Sequence, residues 1–304
     1  MSCLSVLKAW WRTLFDLVVI AILFILFLGL VIAERVGSIV RRGFYCDDSS
    51  IRFPAKPSTV PAEALVTVGI LLVLFVLIGG NLWERFVSHK SKPGKQFHPC
   101  GAESQSCLIP YWIVRICYEF RWYLVGYLIT LIITDAGKIV VGRLRPNFMD
   151  VCDPDFSLFN CTDPYGNPRY VQDYVCRGDN STVAASRVSW PSGHSSMSAY
   201  AFIFLALYLS CVRSTYQRSA FKLMLMLFSF MLALLVGLSR ISDNKHHPTD
   251  VLSGWIIGGA VAFVVVYFNL RYFGELKSDQ GGSEQYQAME ESQKVDKKIP
   301  QNNA

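Results

Sequence analysis

Long stretches without a single charged residue constrain this chain more than any other feature. They run over Leu17–Ala33, Ala64–Trp83, Ser195–Val212, Leu223–Ser239 and Val251–Leu270. At about 1.5 Å of helix per residue, each crosses or nearly crosses a hydrocarbon core of about 30 Å. A shorter run, Trp122–Thr134, stops at Asp135, and its helix is expected to continue through Gly137 toward Val141, bringing Lys138 to the membrane edge. Composition agrees, with 52% hydrophobic and 17% charged residues, where soluble proteins carry about a quarter charged. The first run is too long for a signal-peptide core and lacks a small-residue cleavage site, so it is expected to stay as a span.

The expected fold is all-α, a six-transmembrane-helix bundle with a long outer loop between helices 3 and 4, built from residues 1–273. Residues 274–304 are polar and mixed in charge, and are expected to form a disordered cytoplasmic tail. The net charge of +6 is spread along the chain, which leaves no basic footprint for nucleic acid.

Six spans put both termini on one side. Lys8 and Arg12 before span 1, Arg85, Lys90, Lys92 and Lys95 after span 2, and Arg213, Arg218 and Lys222 between spans 4 and 5 favour cytoplasmic termini. Arg35, Arg41, Arg42, Arg52 and Lys56 in the first outer loop pull the other way. The sequons at Asn160 and Asn180 break the tie, because both fall between spans 3 and 4 and their glycosylation requires an extracellular or lumenal loop. Cys152, Cys161 and Cys176 share that loop, with Cys46 in the first outer loop. Four cysteines on an oxidising side leave three pairings open.

Three segments at the outer ends of spans carry unusual polar residues. The first holds Lys138, Arg143 and Arg145, followed by Pro146. Its plainer reading is snorkelling to lipid headgroups. The second is Pro191, Ser192, Gly193 and His194 at a helix start, where backbone N–H groups and the helix dipole favour an anion. Its plainer reading is an ordinary capped helix. The third runs from Ser239 and Arg240 to His246, His247 and Asp250. If a helix begins near Pro248, His246 and Asp250 share a face, and a carboxylate on one imidazole nitrogen frees the other to attack. Its plainer reading is an exposed polar turn.

Together the segments supply cations, N–H donors, a nucleophile and a proton donor on one membrane face. A phosphate monoester needs that set. No Cys, His, Asp or Glu spacing suggests a metal site, so no cofactor is expected.

The three segments, in this order and spacing, resemble the signature motifs of the type 2 phosphatidic acid phosphatase superfamily. With six spans and a glycosylatable loop between the first two motifs, the chain is most similar to the lipid phosphate phosphatase, or phospholipid phosphatase, branch. The resemblance implies that His246 attacks phosphorus and Asp250 orients it. It implies that His194 protonates the leaving alcohol and then activates water, while Lys138, Arg145, Arg240, Ser192 and Gly193 hold the phosphate. It further implies a Mg²⁺-independent reaction on phosphatidate, lysophosphatidate, sphingosine 1-phosphate and ceramide 1-phosphate, presented on the outer leaflet of the plasma membrane or a lumenal leaflet of the endoplasmic reticulum or Golgi. The expected partners are these lipids and the bilayer, with homo-oligomer formation left open. Arg177, Gly178 and Asp179 resemble an integrin-type motif reported in a family member; a glycine turn between two charges is the stronger reading. The competing class is a non-catalytic anion transporter or a lipid-binding or adhesion protein.

Overall fold

A computed structural model of the protein describes residues 3–36, 39–91, 111–211 and 220–269. The expected tail 274–304 and the basic residues Lys92, Lys95, Arg213 and Arg218 lie outside them.

Helix α1 spans Cys3–Val36, α2 Ala62–Ser91 and α3 Tyr111–Val141. Two short helices follow, α4 at Phe148–Cys152 and α5 at Asn180–Ser186. Then come α6 at Gly193–Cys211, α7 at Ala220–Ser242 and α8 over residues 248–269. Among the described residues, five helices are long and apolar enough to cross a membrane: Leu14–Glu34, Ala62–Leu82, Ile116–Val141, Leu223–Ser242 and Pro248–Asn269. Helix α3 does continue to Val141, and α8 does begin at Pro248, where the fixed φ of proline suits a first helical position.

Helix α6 is not one of the five, and its packing explains its composition. Ser195, Ser196, Ser198, Tyr200 and Tyr208 on this helix are all buried. Tyr200 donates to the Tyr123 carbonyl of α3 at 2.7 Å, and Tyr208 donates to Glu119 at 2.6 Å, where Asn81 of α2 also donates at 3.2 Å. A helix enclosed by α2, α3 and α8 meets protein groups that satisfy its hydroxyls, so it needs no continuous apolar face. On the other side, α8 brings Gly254 and Gly258 against it. A Cβ at residue 258 would sit 2.1 Å from the Ser196 carbonyl oxygen, and one at residue 254 would sit 2.6 Å from the Ser192 carbonyl oxygen. Only the small-xxx-small pattern lets the two backbones approach this closely. Helix α1, by contrast, has no buried residue in its apolar stretch, and an Arg121–Asp16 ion pair ties it to α3.

The segment between α3 and α6 folds, with the α1–α2 connection, into a cap. Strand β1, Phe44–Tyr45 of the first loop, pairs antiparallel with β2, Tyr170–Val171 of the second. Disulfides Cys46–Cys161 and Cys152–Cys176 select one of the three pairings that the sequence left open. The first of them crosslinks the two outer loops. Between them sits a small apolar core of Phe44, Ile51, Leu144, Phe148, Met149 and Val171. This cap fixes residues 142–192 above the bundle, and so places Arg145 and the start of α6.

Gly258→Val is expected to lower stability by about 3 kcal/mol through overpacking against α6. Thermal denaturation of the detergent-solubilised protein reads this as a lower midpoint, while Gly29→Ala, at a position with open space, leaves the midpoint unchanged.

Candidate active site

Lys138 occupies the last turn of α3, and its Nζ lies 2.6 Å from Oδ1 of the buried Asp135. That pairing aims the ammonium at the start of α6, where a Cβ on residue 193 would lie 3.4 Å from Nζ. Glycine leaves room beside the cation. Ser192 caps the helix, its Oγ accepting from Ser195 N at 3.4 Å and Ser195 Oγ at 3.0 Å. Its own N–H donates to the Asp250 carbonyl at 3.0 Å, which joins the second segment to the third.

Two guanidinium groups approach the same place. Nε of Arg145 and Nε of Arg240 are both buried and have no hydrogen-bond partner among the described residues. Burial, and next the like charge of Arg240, pulls Arg145 down to about 10, with Glu34 and Asp250 opposing; it stays a cation at neutral pH. Buried N–H groups without acceptors are costly, and an anion with several oxygens satisfies them. Arg240 also contacts Asp243 Oδ2 at 3.3 Å and the Val60 carbonyl at 3.5 Å.

His246 sits in the turn between α7 and α8, almost fully buried. Its Nδ1 lies 2.7 Å from the Ser189 carbonyl oxygen. A carbonyl only accepts, so Nδ1 carries the hydrogen and Nε2 holds a lone pair. Asp250 Oδ2 lies 3.9 Å from Nδ1, beyond hydrogen-bond distance. The carboxylate instead accepts from Ser189 Oγ at 2.6 Å, His247 N at 3.0 Å and Arg143 Nη1 at 2.6 Å. His247 turns the other way, its Nε2 at 3.1 Å from the Leu144 carbonyl. His194, one residue into α6, has Nε2 at 3.1 Å from the Val60 carbonyl. Burial, and next the charge of Arg240, lowers His194 from 6.5 to about 3. Its Nε2 and Arg240 Nη1 meet the same Val60 carbonyl, and the His246 N–H donates to the Arg240 carbonyl at 3.3 Å, which brings the three residues together.

The first outer loop closes one wall. Asp243 takes the Thr59 N–H at 2.8 Å and its hydroxyl at 2.6 Å, and Asn244 donates to the Pro54 carbonyl at 2.9 Å. Sequence reading missed Thr59, Asp243, Asp135 and Ser189. Asp135 and Asp243, each three residues from a site cation, offered a signal of the right sign and spacing; Thr59 and Ser189 offered none. Asn160 and Asn180 are exposed on the cap. Arg177 pairs with Asp153 through two bonds of 3.0 Å, and Asp179 caps α5 by accepting from Ser181 N and Thr182 N. Both charges of that tripeptide therefore serve the cap.

A family model described as the PAP2 superfamily matches residues 119–273, a stretch that holds every site residue from Lys138 to Asp250. The chain belongs to the PAP2 superfamily. This PAP2 chain is 34% identical over 240 residues to Phospholipid phosphatase 1 of Rattus norvegicus, covering 79% of each chain. It is 33% identical over 262 residues to Phospholipid phosphatase 2 of the same organism, covering 86% of this chain and 88% of the relative. Against Phospholipid phosphatase 2 of Bos taurus it is 34% identical over 233 residues, covering 77% of this chain and 75% of the relative. No solved structure matches. These relatives place it in the phospholipid phosphatase branch, as a multi-pass membrane phosphatase.

Burial lowers His246 from 6.5 to about 4; the Asp250 carboxylate opposes the shift, and Arg145 and Arg240 add to it. The native state thus holds this imidazole neutral while the unfolded chain still takes up a proton. The stability it contributes is complete above pH 6.5 and is lost as pH falls from 6.5 toward 4. Thermal midpoints are expected to fall across that window, and His246→Asn to flatten the fall.

Proposed function

We propose that this PAP2 phosphatase hydrolyses lipid phosphate monoesters at the outer face of a membrane through a phosphohistidine on His246. The observation that carries the reading is a buried His246 with an unprotonated Nε2, its N–H bound to the Arg240 carbonyl, beside buried Arg145 and Arg240 whose Nε–H groups have no partner among the described residues. Lys138, Arg145 and Arg240, with Ser192 and the Gly193 N–H, hold the equatorial oxygens. The Nε2 lone pair forms the N–P bond as the bond from phosphorus to the ester oxygen breaks. A bound phosphate dianion opposes the burial and the Arg240 charge that lower His194, and the ring, protonated beside it, gives its proton to the departing alkoxide. It then takes a proton from water, whose oxygen attacks phosphorus and releases His246 and inorganic phosphate. Asp250, 3.9 Å from the ring, stabilises the positive charge that His246 gains in the intermediate. The three cations supply the charge that a divalent metal supplies in other phosphatases, so no cofactor enters the scheme.

We read α6 as a sixth crossing, with residues 1–273 forming the phosphatase domain, residues 274–304 a cytoplasmic tail, and both termini on the cytoplasmic side. Two disulfides and two exposed sequons on the cap support an oxidising compartment for it. A site at the outer ends of the helices, beneath that cap, suits a headgroup in the facing leaflet. Phosphatidate, lysophosphatidate, sphingosine 1-phosphate and ceramide 1-phosphate all present such a monoester beside a lipid tail. The plasma membrane is the first location proposed, with the endoplasmic reticulum and Golgi next. Glycosylation at Asn180 and Asn160 follows from the same orientation, and Arg177-Gly178-Asp179 is a structural turn of the cap ahead of an integrin ligand.

Phosphate release from phosphatidate by the purified protein is expected to persist in excess EDTA. His246→Ala is expected to reduce kcat by about 10³-fold or more, as loss of a nucleophile does. Loss of activity in chelator, or full turnover by His246→Ala, sinks the mechanism. A parallel panel of lipid and sugar phosphates tests the substrate class: equal kcat/KM for a short sugar phosphate ends the lipid assignment.

A further inference from the structure

Ser189 lies outside the three signature segments, two residues ahead of Pro191, yet every polar atom it owns touches one of them or a residue bound to one. Its N–H donates to the Arg143 carbonyl at 2.9 Å. Its hydroxyl donates to Asp250 Oδ2 at 2.6 Å. Its carbonyl accepts from His246 Nδ1 at 2.7 Å. The residue has no solvent exposure. Arg143 closes the circuit by donating to the other carboxylate oxygen of Asp250 at 2.6 Å.

We infer that Ser189 is the positioning residue for the nucleophile, and that Asp250 acts on His246 through it. The inference rests on the reading of His246 as the attacking group. Its physical content lies in the direction of one peptide unit. The imidazole tautomer is set by whatever accepts from Nδ1, and here that acceptor is a backbone oxygen. A backbone oxygen is aimed only by what restrains its peptide. The Ser189 hydroxyl, clamped on Asp250, and the Ser189 N–H of the preceding peptide, bound to the Arg143 carbonyl, together fix the Cα from which that carbonyl projects. Asp250 contributes its charge from 3.9 Å and holds the clamp. When Nε2 bonds to phosphorus the ring becomes cationic, and the Nδ1–H bond to a well-aimed carbonyl strengthens at that moment. The effect belongs to the chemical step and leaves phosphate binding alone, because the groups that hold the phosphate are Lys138, Arg145 and Arg240.

The test is a double-mutant cycle of Ser189→Ala and Asp250→Asn on the full-length protein in detergent micelles, with His246→Ala as reference. Ser189→Ala is expected to lower kcat about tenfold while KM and the inhibition constant of inorganic phosphate stay within about twofold. The loss on Asp250→Asn is expected to shrink, in the Ser189→Ala background, to less than about a third of its value in the wild type. Losses that multiply independently overturn the inference, as does a Ser189→Ala kcat within about twofold of wild type. A Ser189→Ala loss that appears equally in KM and phosphate inhibition also overturns it, since that marks general disruption of the site. If His246→Ala keeps turnover, the nucleophile assignment fails and takes this inference with it. If His246→Ala is inactive and Ser189→Ala is unimpaired, only the role of Ser189 falls.

Discussion

The approach of α6 to α8 at backbone distance governs where the chemistry can sit. Gly254 and Gly258 let the two helices meet so closely that a Cβ at either position would collide with a carbonyl of the Ser192–Ser196 turn. That contact sets Ser192 and Gly193 beside the first turn of α8, where the Ser192 N–H meets the Asp250 carbonyl at 3.0 Å. Once this is fixed, His194 and His246 have little freedom to separate, because each lies within four residues of the joint. The remaining helices enclose the pair. Helix α3 adds Lys138 from a third direction, held by Asp135, and the folded cap adds Arg145 from above.

Charge balance in the cluster is uneven in a way that suits an anion. The carboxylates near it are spoken for: Asp135 by Lys138, Asp243 by Thr59 and Arg240, Asp250 by Ser189, Arg143 and the His247 N–H. Arg145 keeps no hydrogen-bonded counter-ion among the described residues and repels Arg240. Folding the chain around two mutually repelling buried guanidinium groups costs stability, a cost that recurs at sites built to bind a charged ligand. The disulfide-tied cap, with its own apolar core, is what holds that arrangement in place.

Much of this was legible in the chain. Charge-free runs located four of the apolar spans to within about three residues, along with the continuation of α3 to Val141, while α1, α2 and α3 extend well beyond their runs at one end. Helix α6 was legible as an apolar run, yet its serines and tyrosines carried no sign of which helices would satisfy them. The motif resemblance favoured His246 over His247 as the nucleophile, and in the fold His246 Nδ1 meets the Ser189 carbonyl while His247 faces the Leu144 carbonyl. The expected direct bond from Asp250 to His246 appears instead as a 3.9 Å approach with Ser189 between them.

By itself the sequence determined that this chain is a helical membrane protein of the phospholipid phosphatase branch, because hydropathy and motif spacing are local properties that survive without a fold. Only the tertiary structure decided which cysteines pair, that Val60 and Thr59 of the first loop reach His194 and Asp243, and that a backbone carbonyl faces the nucleophile. Those contacts join residues 24 to 184 positions apart. They depend on the direction of individual carbonyl and hydroxyl groups, and every residue in a chain has a carbonyl. No periodicity or residue type distinguishes the one at Ser189 until the helices are packed around it.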